Sequence, residues 1–155
     1  KMEFGPRALG SRSILADPTD PKMKDRINRY VKFREEFRPF TPSVKSEKAN
    51  IYFDIDFISR FMLFVAPVRE MYKKILPAIT HVDGTARIQC VERSVEPLYW
   101  SLLDEFENIK KVPVILNTSF NIMGEPIVYS PAQALRCFYG SGIDILVMGN
   151  YIIRK

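Results

Sequence analysis

The stretch VILNTSFNIMGEPIV, Val114–Val128, decides how this chain folds. It begins and ends with apolar residues, and the run at 112–116 has the composition of a buried strand. Between the apolar ends lie several small polar side chains in a row, which a buried segment rarely needs. Because binding groups collect on loops at strand ends, we expect these polar residues either to hold a ligand or to build a turn.

Ser119 and Asn121 are the pair from which a binding site would be built here. Their spacing of two places both side chains on the same face of an extended chain. A hydroxyl and an amide on one face can bind a phosphate oxygen and a carbonyl. The same residues can instead bond their own backbone in a turn, and spacing alone favours that commoner arrangement.

A second candidate site is the basic and aromatic segment YVKFREEFRPF at residues 30–40. Lys32 and Arg34 are two apart and Arg38 follows; lysine is a mobile point charge, and arginine binds oxyanions with a planar fork of donors. A solvated helix end, with the two intervening glutamates as partners, is the commoner fate of such a run. Three aromatic residues favour instead a segment packed on the core with its basic groups at a pocket edge: Phe33, Phe37 and Phe40.

Other candidates stand alone in the sequence. Arg7 lies between Pro6 and Gly10, where it can approach a phosphate closely, and Arg87 lies in an alternating strand with one polar face. The only histidine, His81, is interpreted as a hydrogen-bonded structural residue rather than a general base. No second histidine or acidic cluster accompanies it, so we expect no protein metal site.

Hydrophobic periodicity predicts an α/β (α+β) fold in a single domain, residues 1–155, with a mostly β core. Buried strands are predicted at 61–68, 85–92 and 112–116, and a hairpin turns at 148–150. Helices are predicted at 20–34, at 96–111, and from 131 to 140 with Ser130 as N-cap. The apolar stripe of the second helix is predicted to contain Leu98, Leu102, Leu103 and Phe106.

Composition limits the function further. The chain has 155 residues, 46% hydrophobic and 26% charged, and Lys plus Arg exceed Asp plus Glu by 23 to 18. The basic residues are not bunched, which indicates a small anionic ligand rather than a nucleic acid. Two isolated cysteines indicate a reducing, cytoplasmic location. The sequence contains no apolar run long enough to predict a membrane segment. The start KMEFGPRALG indicates a loop or domain junction, so we expect a further N-terminal domain.

Five blocks of the sequence together resemble the C-terminal domain of the O-carbamoyltransferases of nodulation-factor and antibiotic tailoring. The resemblance implies a YrdC-like fold, a twisted mixed β-sheet with flanking helices and a deep basic cleft, preceded by a Kae1-like domain that is absent here. The blocks, in order, are MEFGPRALGSRSILADP, MKDRINRYVKFREEFRPFTPSV, THVDGTARIQ, VPVILNTSFNIMGEPIV and GIDILVMGNYIIRK.

The resemblance also assigns roles. YrdC-like proteins carry a Lys-x-Arg and a Ser-x-Asn pair in the cleft, and these fall here on Lys32, Arg34, Ser119 and Asn121. The implied catalytic residues are Lys32, Arg38, Arg87 and Ser119. The implied nucleotide-binding residues are Arg7, Lys32, Arg34, Asn117, Thr118, Ser119 and Asn121.

The implied reaction converts ATP and carbamoyl phosphate to carbamoyl-adenylate, whose carbamoyl group passes to a hydroxyl acceptor in the preceding domain. Mg²⁺ is expected to arrive with the nucleotide, because no dedicated carboxylate pair is visible for it. The alternative is a basic module that binds double-stranded RNA, which YrdC-like domains also resemble. Cations that converge in a cleft favour the enzyme, whereas cations spread over a broad exposed face favour RNA.

Overall fold

The computed structural model describes residues 1–3 and 5–155 and has the predicted α+β composition. Its strands are β1 (Ser13–Ala16), β2 (Thr41–Lys45), β3 (Val65–Pro67), β4 (Thr85–Arg87), β5 (Gln89–Val91), β6 (Val114–Ser119), β7 (Ile145–Met148) and β8 (Tyr151–Arg154). Its α-helices are α1 (Met23–Ile27), α2 (Ala49–Tyr52), α3 (Glu70–Lys73), α4 (Pro97–Lys110) and α5 (Pro131–Tyr139).

A four-stranded mixed sheet in the order β1-β6-β2-β5 forms the centre of the molecule. Strand β6 is antiparallel to both of its neighbours, whereas β5 runs parallel to β2. The apolar first half of β6 lies inside the sheet, as its composition predicts. The strand continues to Ser119, so the first polar residues of the stretch belong to the strand and not to the loop.

The two faces of this sheet differ in chemistry. One face packs on the main core through alternate residues such as Ile14, Val44 and Leu116. The other face is covered in part by α4, in a smaller apolar cluster. The rest of that second face carries the buried polar side chains Ser43, Gln89 and Asn117. The smaller cluster consists of Val91, Tyr99, Leu103 and Ile115.

Helix α4 confirms the predicted helix at 96–111, but its buried stripe is partly wrong. Leu103 is buried and Phe106 packs on the smaller cluster, whereas Leu98 and Leu102 are exposed. Tyr99 takes the place that the pattern assigned to Leu98. The helix therefore presents Tyr99 rather than Leu98 to the sheet, where Tyr99 joins the smaller cluster.

The predicted buried strand at 61–68 is wrong in extent and largely in burial. Only the three residues of β3 are extended in a sheet, and Phe61, Leu63 and Phe64 are exposed. Met62 alone among residues 61–65 turns inward, with a left-handed backbone (φ 57°). An apolar run has no periodicity that could show which of its side chains face the core.

The C-terminal elements follow their sequence signals. Ser130 caps α5 by accepting a hydrogen bond from the Gln133 N–H at 3.3 Å, and β7 and β8 form the predicted hairpin. Gly149 supplies the positive φ (61°) that its turn requires. Within residues 1–3 and 5–155, no helix combines the length and the apolar character that a bilayer-spanning segment needs.

Candidate functional site

Lys32 stands at the end of a helical segment that points it into the protein. Helix α1 continues as a π-helical turn, Asn28–Lys32, and Phe33 ends it with a left-handed backbone (φ 50°). Ile27 and Val31 anchor this turn on the core. The wider turn leaves Lys32 only 4% exposed, and such π-turns are frequent at functional sites.

The ammonium group of Lys32 lies among oxygens of Ser119 and Asn121. Its Nζ donates to Ser119 O at 2.5 Å, to Asn121 Oδ1 at 2.7 Å and to Asn121 O at 3.0 Å, and it lies 3.2 Å from Ser119 Oγ. The Ser119 hydroxyl itself donates to Asn121 Oδ1 at 2.7 Å. The structure thus brings together three of the residues that the sequence named.

Ser119 and Asn121 also build a turn, which confirms the turn interpretation of the pair, whereas ligand binding by the pair stays a prediction. Asn121 Nδ2 donates to Glu125 O at 2.7 Å, and the Asn121 N–H donates to Ser119 O at 3.1 Å. Gly124, with φ 80°, closes the loop. The turn fixes the oxygens that surround Lys32, which makes it part of the site.

The charge of Lys32 has no acidic partner. No carboxylate of the described part of the chain forms an ion pair with it, and all four of its neighbouring oxygens are neutral. Burial, and then the positive charge of Arg34, lower the pKa of Lys32 to about 7. An anion brought to this position would remove much of that electrostatic cost.

Arg34 does not share the contacts of Lys32. Its Nε donates to Asn28 Oδ1 at 2.8 Å, and its guanidinium lies over the Phe40 ring at 4.8 Å. Asn28, fully buried, also donates to the carbonyl oxygens of Glu36 and Arg38 and so holds the connecting loop. Burial, and then Arg38, lower the pKa of Arg34.

The loop that carries Arg38 is more exposed than its aromatic residues predict. Phe40 is buried, but Phe33 and Phe37 are exposed, so the prediction that all three pack on the core is wrong for two. Arg38 has a side chain 53% exposed and pairs with Glu35 at 2.9 Å. It is the most solvated of the four residues implied to be catalytic.

Arg87 and Arg7 belong to segments that meet, because Gln89, two residues after Arg87, donates from Nε2 to the backbone oxygen of Leu9, two residues after Arg7, at 3.0 Å. Arg87 contacts Thr41 Oγ1 through Nη2 at 3.1 Å and through Nε at 3.3 Å. Burial, and then the charge of Arg7, lower the pKa of Arg87. Neither guanidinium forms an ion pair within residues 1–3 and 5–155. Two half-buried guanidinium groups that are near one another without a carboxylate are suited to an anion between them.

Asn117 and Thr118 occupy opposite faces of β6. Asn117 is 1% exposed, and its Nδ2 donates to Gln89 Oε1 at 2.8 Å, to Ser43 Oγ at 3.1 Å and to Ala8 O at 3.2 Å. Thr118 pairs with Ile14 of β1 on the main-core side and is half-buried. Their implied role in nucleotide binding stays a prediction. Gln89, two residues after Arg87 in the chain, belongs to the same buried network.

A cleft of about 400 Å³ opens beside Ser119 and Asn121. This volume lies in the range of small-molecule sites. Its walls combine apolar side chains with the polar pair and the carboxylate of Glu3. The lining residues are Met2, Glu3, Gly5, Pro6, Ser119, Asn121, Pro126 and Ile127.

His81 is a structural residue, as the sequence analysis preferred. Its Nδ1 lies 3.1 Å from Thr85 Oγ1, and burial lowers its pKa. Among the residues that the structure describes, no group of three histidine, cysteine or acidic side chains is placed to hold a metal ion.

Comparisons with known proteins identify the family of this chain. The family model described as Carbamoyltransferase C-terminus matches residues 1–155. Nodulation protein NolNO of Sinorhizobium fredii is 51% identical over 158 residues, which cover all of this chain and 23% of NolNO. Nodulation protein NolO of Bradyrhizobium diazoefficiens is 49% identical, with 29% of its length covered.

A relative from a distant organism shows the same extent. Uncharacterized protein MJ1058 of Methanocaldococcus jannaschii is 43% identical over the whole chain, which covers 26% of its length. The chain thus spans about a quarter of these relatives. Its family model covers it from end to end, and the chain belongs to the carbamoyltransferase C-terminus family.

Proposed function

We propose that this domain binds ATP and carbamoyl phosphate in one cleft and forms carbamoyl-adenylate, as one half of an O-carbamoyltransferase. The observation that carries the proposal is the buried ammonium of Lys32, which lies among Ser119 and Asn121 without a carboxylate. A buried, unpaired cation is costly unless an anion completes its surroundings. Membership of the family supports a phosphate-bearing substrate as the source of that anion.

The residues fit a nucleotide and a small phosphate side by side. Ser119 and Asn121, to which Lys32 donates hydrogen bonds, line the cleft of about 400 Å³, which suits ATP. Arg7 and Arg87 offer two unneutralised guanidinium groups, and Arg38 adds a third that can leave Glu35 at little cost because that pair is exposed. We assign carbamoyl phosphate to these arginines and the nucleotide phosphates to Lys32 and Arg34.

The proposed reaction needs stabilised charge rather than a nucleophilic side chain. Water takes the phosphoryl group of carbamoyl phosphate, which releases inorganic phosphate and carbamate. A carbamate oxygen then attacks the α-phosphorus of ATP, a new P–O bond forms, and the bond to pyrophosphate breaks. Cations and N–H or O–H donors held in advance would stabilise the oxygens as negative charge develops.

Mg²⁺ enters the proposal with ATP. The described residues contain no cluster that would hold the ion by itself, so phosphate oxygens and water would supply most of its ligands. The ion would neutralise phosphate charge in the cleft. The contribution of this chain is the set of cations and donors around the phosphates.

Isothermal titration of the purified chain with ATP–Mg²⁺ and with carbamoyl phosphate tests the proposal. We expect saturable binding of each ligand and release of pyrophosphate when both are present. Arg26→Ala is a matched control, because Arg26 is an exposed arginine paired with Asp144 away from the cleft. Absence of binding by the folded chain would refute the proposal, and salt-sensitive binding of duplex RNA in its place would favour the RNA-binding alternative.

Transfer to a hydroxyl acceptor is assigned to a preceding Kae1-like domain of the same polypeptide. Exposed apolar residues in segment 57–65, such as Phe61 and Leu63, support a packing partner of this kind. This chain alone is expected to release pyrophosphate without carbamoylating a supplied sugar. Mass spectrometry of the sugar checks this division, and a carbamoylated product would contradict it.

A further inference from the structure

The segment Ala8–Gly10 crosses the polar face of the central sheet and accepts hydrogen bonds from side chains of that face. Gln89 Nε2 donates to Leu9 O at 3.0 Å, and Asn117 Nδ2 donates to Ala8 O at 3.2 Å. Ala8 is only 2% exposed. Two side-chain amides from two strands therefore replace the backbone pairing that this short segment lacks.

The two amides are themselves immobilised. Gln89 Oε1 accepts from Asn117 Nδ2 at 2.8 Å and from Ser43 Oγ at 2.6 Å. Because the three side chains come from β5, β6 and β2, the network ties the segment to three strands at once. Asn117 Oδ1 is buried without a partner among the described residues, but the two amide groups that face the segment are engaged, which limits their freedom to turn towards a ligand.

Contacts with Tyr99 and Glu3 also fix the position of the segment. A Cβ added to Gly10, whose φ is 121°, would lie 2.4 Å from the Tyr99 ring, so the backbone touches α4 directly. The Glu3 carboxylate accepts the backbone N–H groups of Leu9, Ser11 and Arg12 at 2.9–3.0 Å. The backbone next to Arg7 is therefore unusually constrained for a stretch outside helix and strand.

We infer that Gln89 and Asn117 are positioning residues that hold the backbone next to Arg7, so that its guanidinium stays beside Arg87 at the proposed carbamoyl phosphate site. The inference rests on the proposed function. Like charges repel, and a loose segment would let Arg7 move away from Arg87 whenever the anion is absent. The polar network opposes that movement and presents both guanidinium groups together before the ligand arrives, which saves ordering cost on binding.

A double-mutant cycle tests whether Gln89 acts through Arg7. Carbamoyl phosphate is titrated into the wild-type chain, Gln89→Met, Arg7→Ala and the double variant. We expect Gln89→Met to weaken binding by roughly tenfold alone and by less than about twofold in the Arg7→Ala background, because coupled residues are not additive. A residue that only stabilises the fold would leave the affinity of the folded protein unchanged in both backgrounds.

Ser59→Ala is the matched structural control. It removes one buried hydrogen bond, from Ser59 Oγ to Ile88 O at 2.9 Å, beside Gln89 in the chain but not part of the network that holds Ala8–Gly10. It should lower the melting temperature and leave the affinity for carbamoyl phosphate as it is. Gly10→Ala displaces the same segment without changing either amide side chain, and should reproduce the pattern of Gln89→Met if Gln89→Met folds poorly.

Amide hydrogen exchange tests, in the absence of a ligand, whether the amide network immobilises the segment Ala8–Gly10. The Leu9 and Ser11 amides should lose protection in Gln89→Met and keep it in Ser59→Ala. Unchanged protection, or losses of affinity from Arg7→Ala and Gln89→Met that simply multiply, would overturn the inference. A wild-type chain that keeps this protection but binds no carbamoyl phosphate would instead overturn the proposed function. The positioning role of the amide network at that site would then be overturned as well.

Discussion

Two buried lysines of this domain have opposite surroundings. Lys32 and Lys45 are 4% and 3% exposed. Lys45, on β2, forms ion pairs with Asp104 and Glu107 of α4, each at 2.5 Å, and lies 4.8 Å from the Trp100 ring centre. Burial alone would lower the pKa of Lys45, but its hydrogen bonds to the two carboxylates raise it above the ordinary value. The pKa of Lys32, surrounded by neutral oxygens, is lowered to about 7.

This difference separates a structural cation from a binding cation. The charge of Lys45 is balanced within the domain, so it attaches α4 to the sheet and has no need of a ligand. The charge of Lys32 is hydrogen-bonded but not balanced, so the free energy of its burial improves when an anion arrives. Burial by itself does not identify a binding site; burial without a counter-charge does.

The largest expected effect comes from making Lys45 resemble Lys32. Asp104→Asn combined with Glu107→Gln leaves a buried ammonium without a carboxylate, and should lower the free energy of unfolding by about 3 kcal/mol. Urea denaturation measures it. Affinity for carbamoyl phosphate should not change in the folded variant, and a large loss of affinity would show that α4 belongs to the site.

The reverse variant, Lys32→Met, should affect binding far more than stability. Loss of a charge-assisted contact worth about 2 kcal/mol weakens ATP binding by roughly 30-fold. The free energy of unfolding should change by less than about 1 kcal/mol, because the lost hydrogen bonds are offset by removal of a buried charge. Titration and urea denaturation of one preparation measure both quantities. A collapse in stability with unaltered affinity would reverse the assignment.

The arginines extend the comparison to partly exposed cations. Arg87→Ala removes a half-buried guanidinium and should weaken carbamoyl phosphate binding by about tenfold. Arg38→Ala should cost only about threefold, because the side chain is solvated and its pair with Glu35 is screened. Arg26→Ala serves again as the control. Equal losses at both positions would show that Arg38 leaves Glu35 and closes over the ligand.

The smallest effect is a pH dependence that only Lys32 should cause. Free Lys32 loses its proton as the pH rises through about 7, so anion affinity should fall by about threefold between pH 6.5 and 7.5. Lys32→Met should abolish that dependence. The pH dependence of stability has the opposite sign. The unfolded lysine titrates near 10.5, so between about pH 7 and pH 10.5 the unfolded state binds more protons than the folded state. The contribution of Lys32 to the free energy of unfolding therefore rises with pH over this range. Titrations and denaturation at several pH values check both trends.

Local signals predicted the elements that depend on neighbours in the chain. The cap at Ser130, the glycine turn at Gly149 and the helix at 96–111 appear as expected, because short-range geometry decides them. The run at 61–68 failed, since tertiary contacts turn Met62 inward and leave its neighbours outside. The burial of Tyr99 rather than Leu98 on α4 was equally invisible, because it depends on tertiary packing against the sheet.

The sequence by itself determined the α+β class, the family and the residue types able to bind an anion, because these depend on composition, periodicity and motifs along the chain. Tertiary structure decided how they combine. It placed Lys32 among Ser119 and Asn121, turned Arg34 away towards Asn28, and used Asn117 with Gln89 to hold the N-terminal segment. The physical reason is that the charge balance of a buried group depends on neighbours far away in the chain. Only the folded structure shows that Lys45, and not Lys32, lies beside carboxylates.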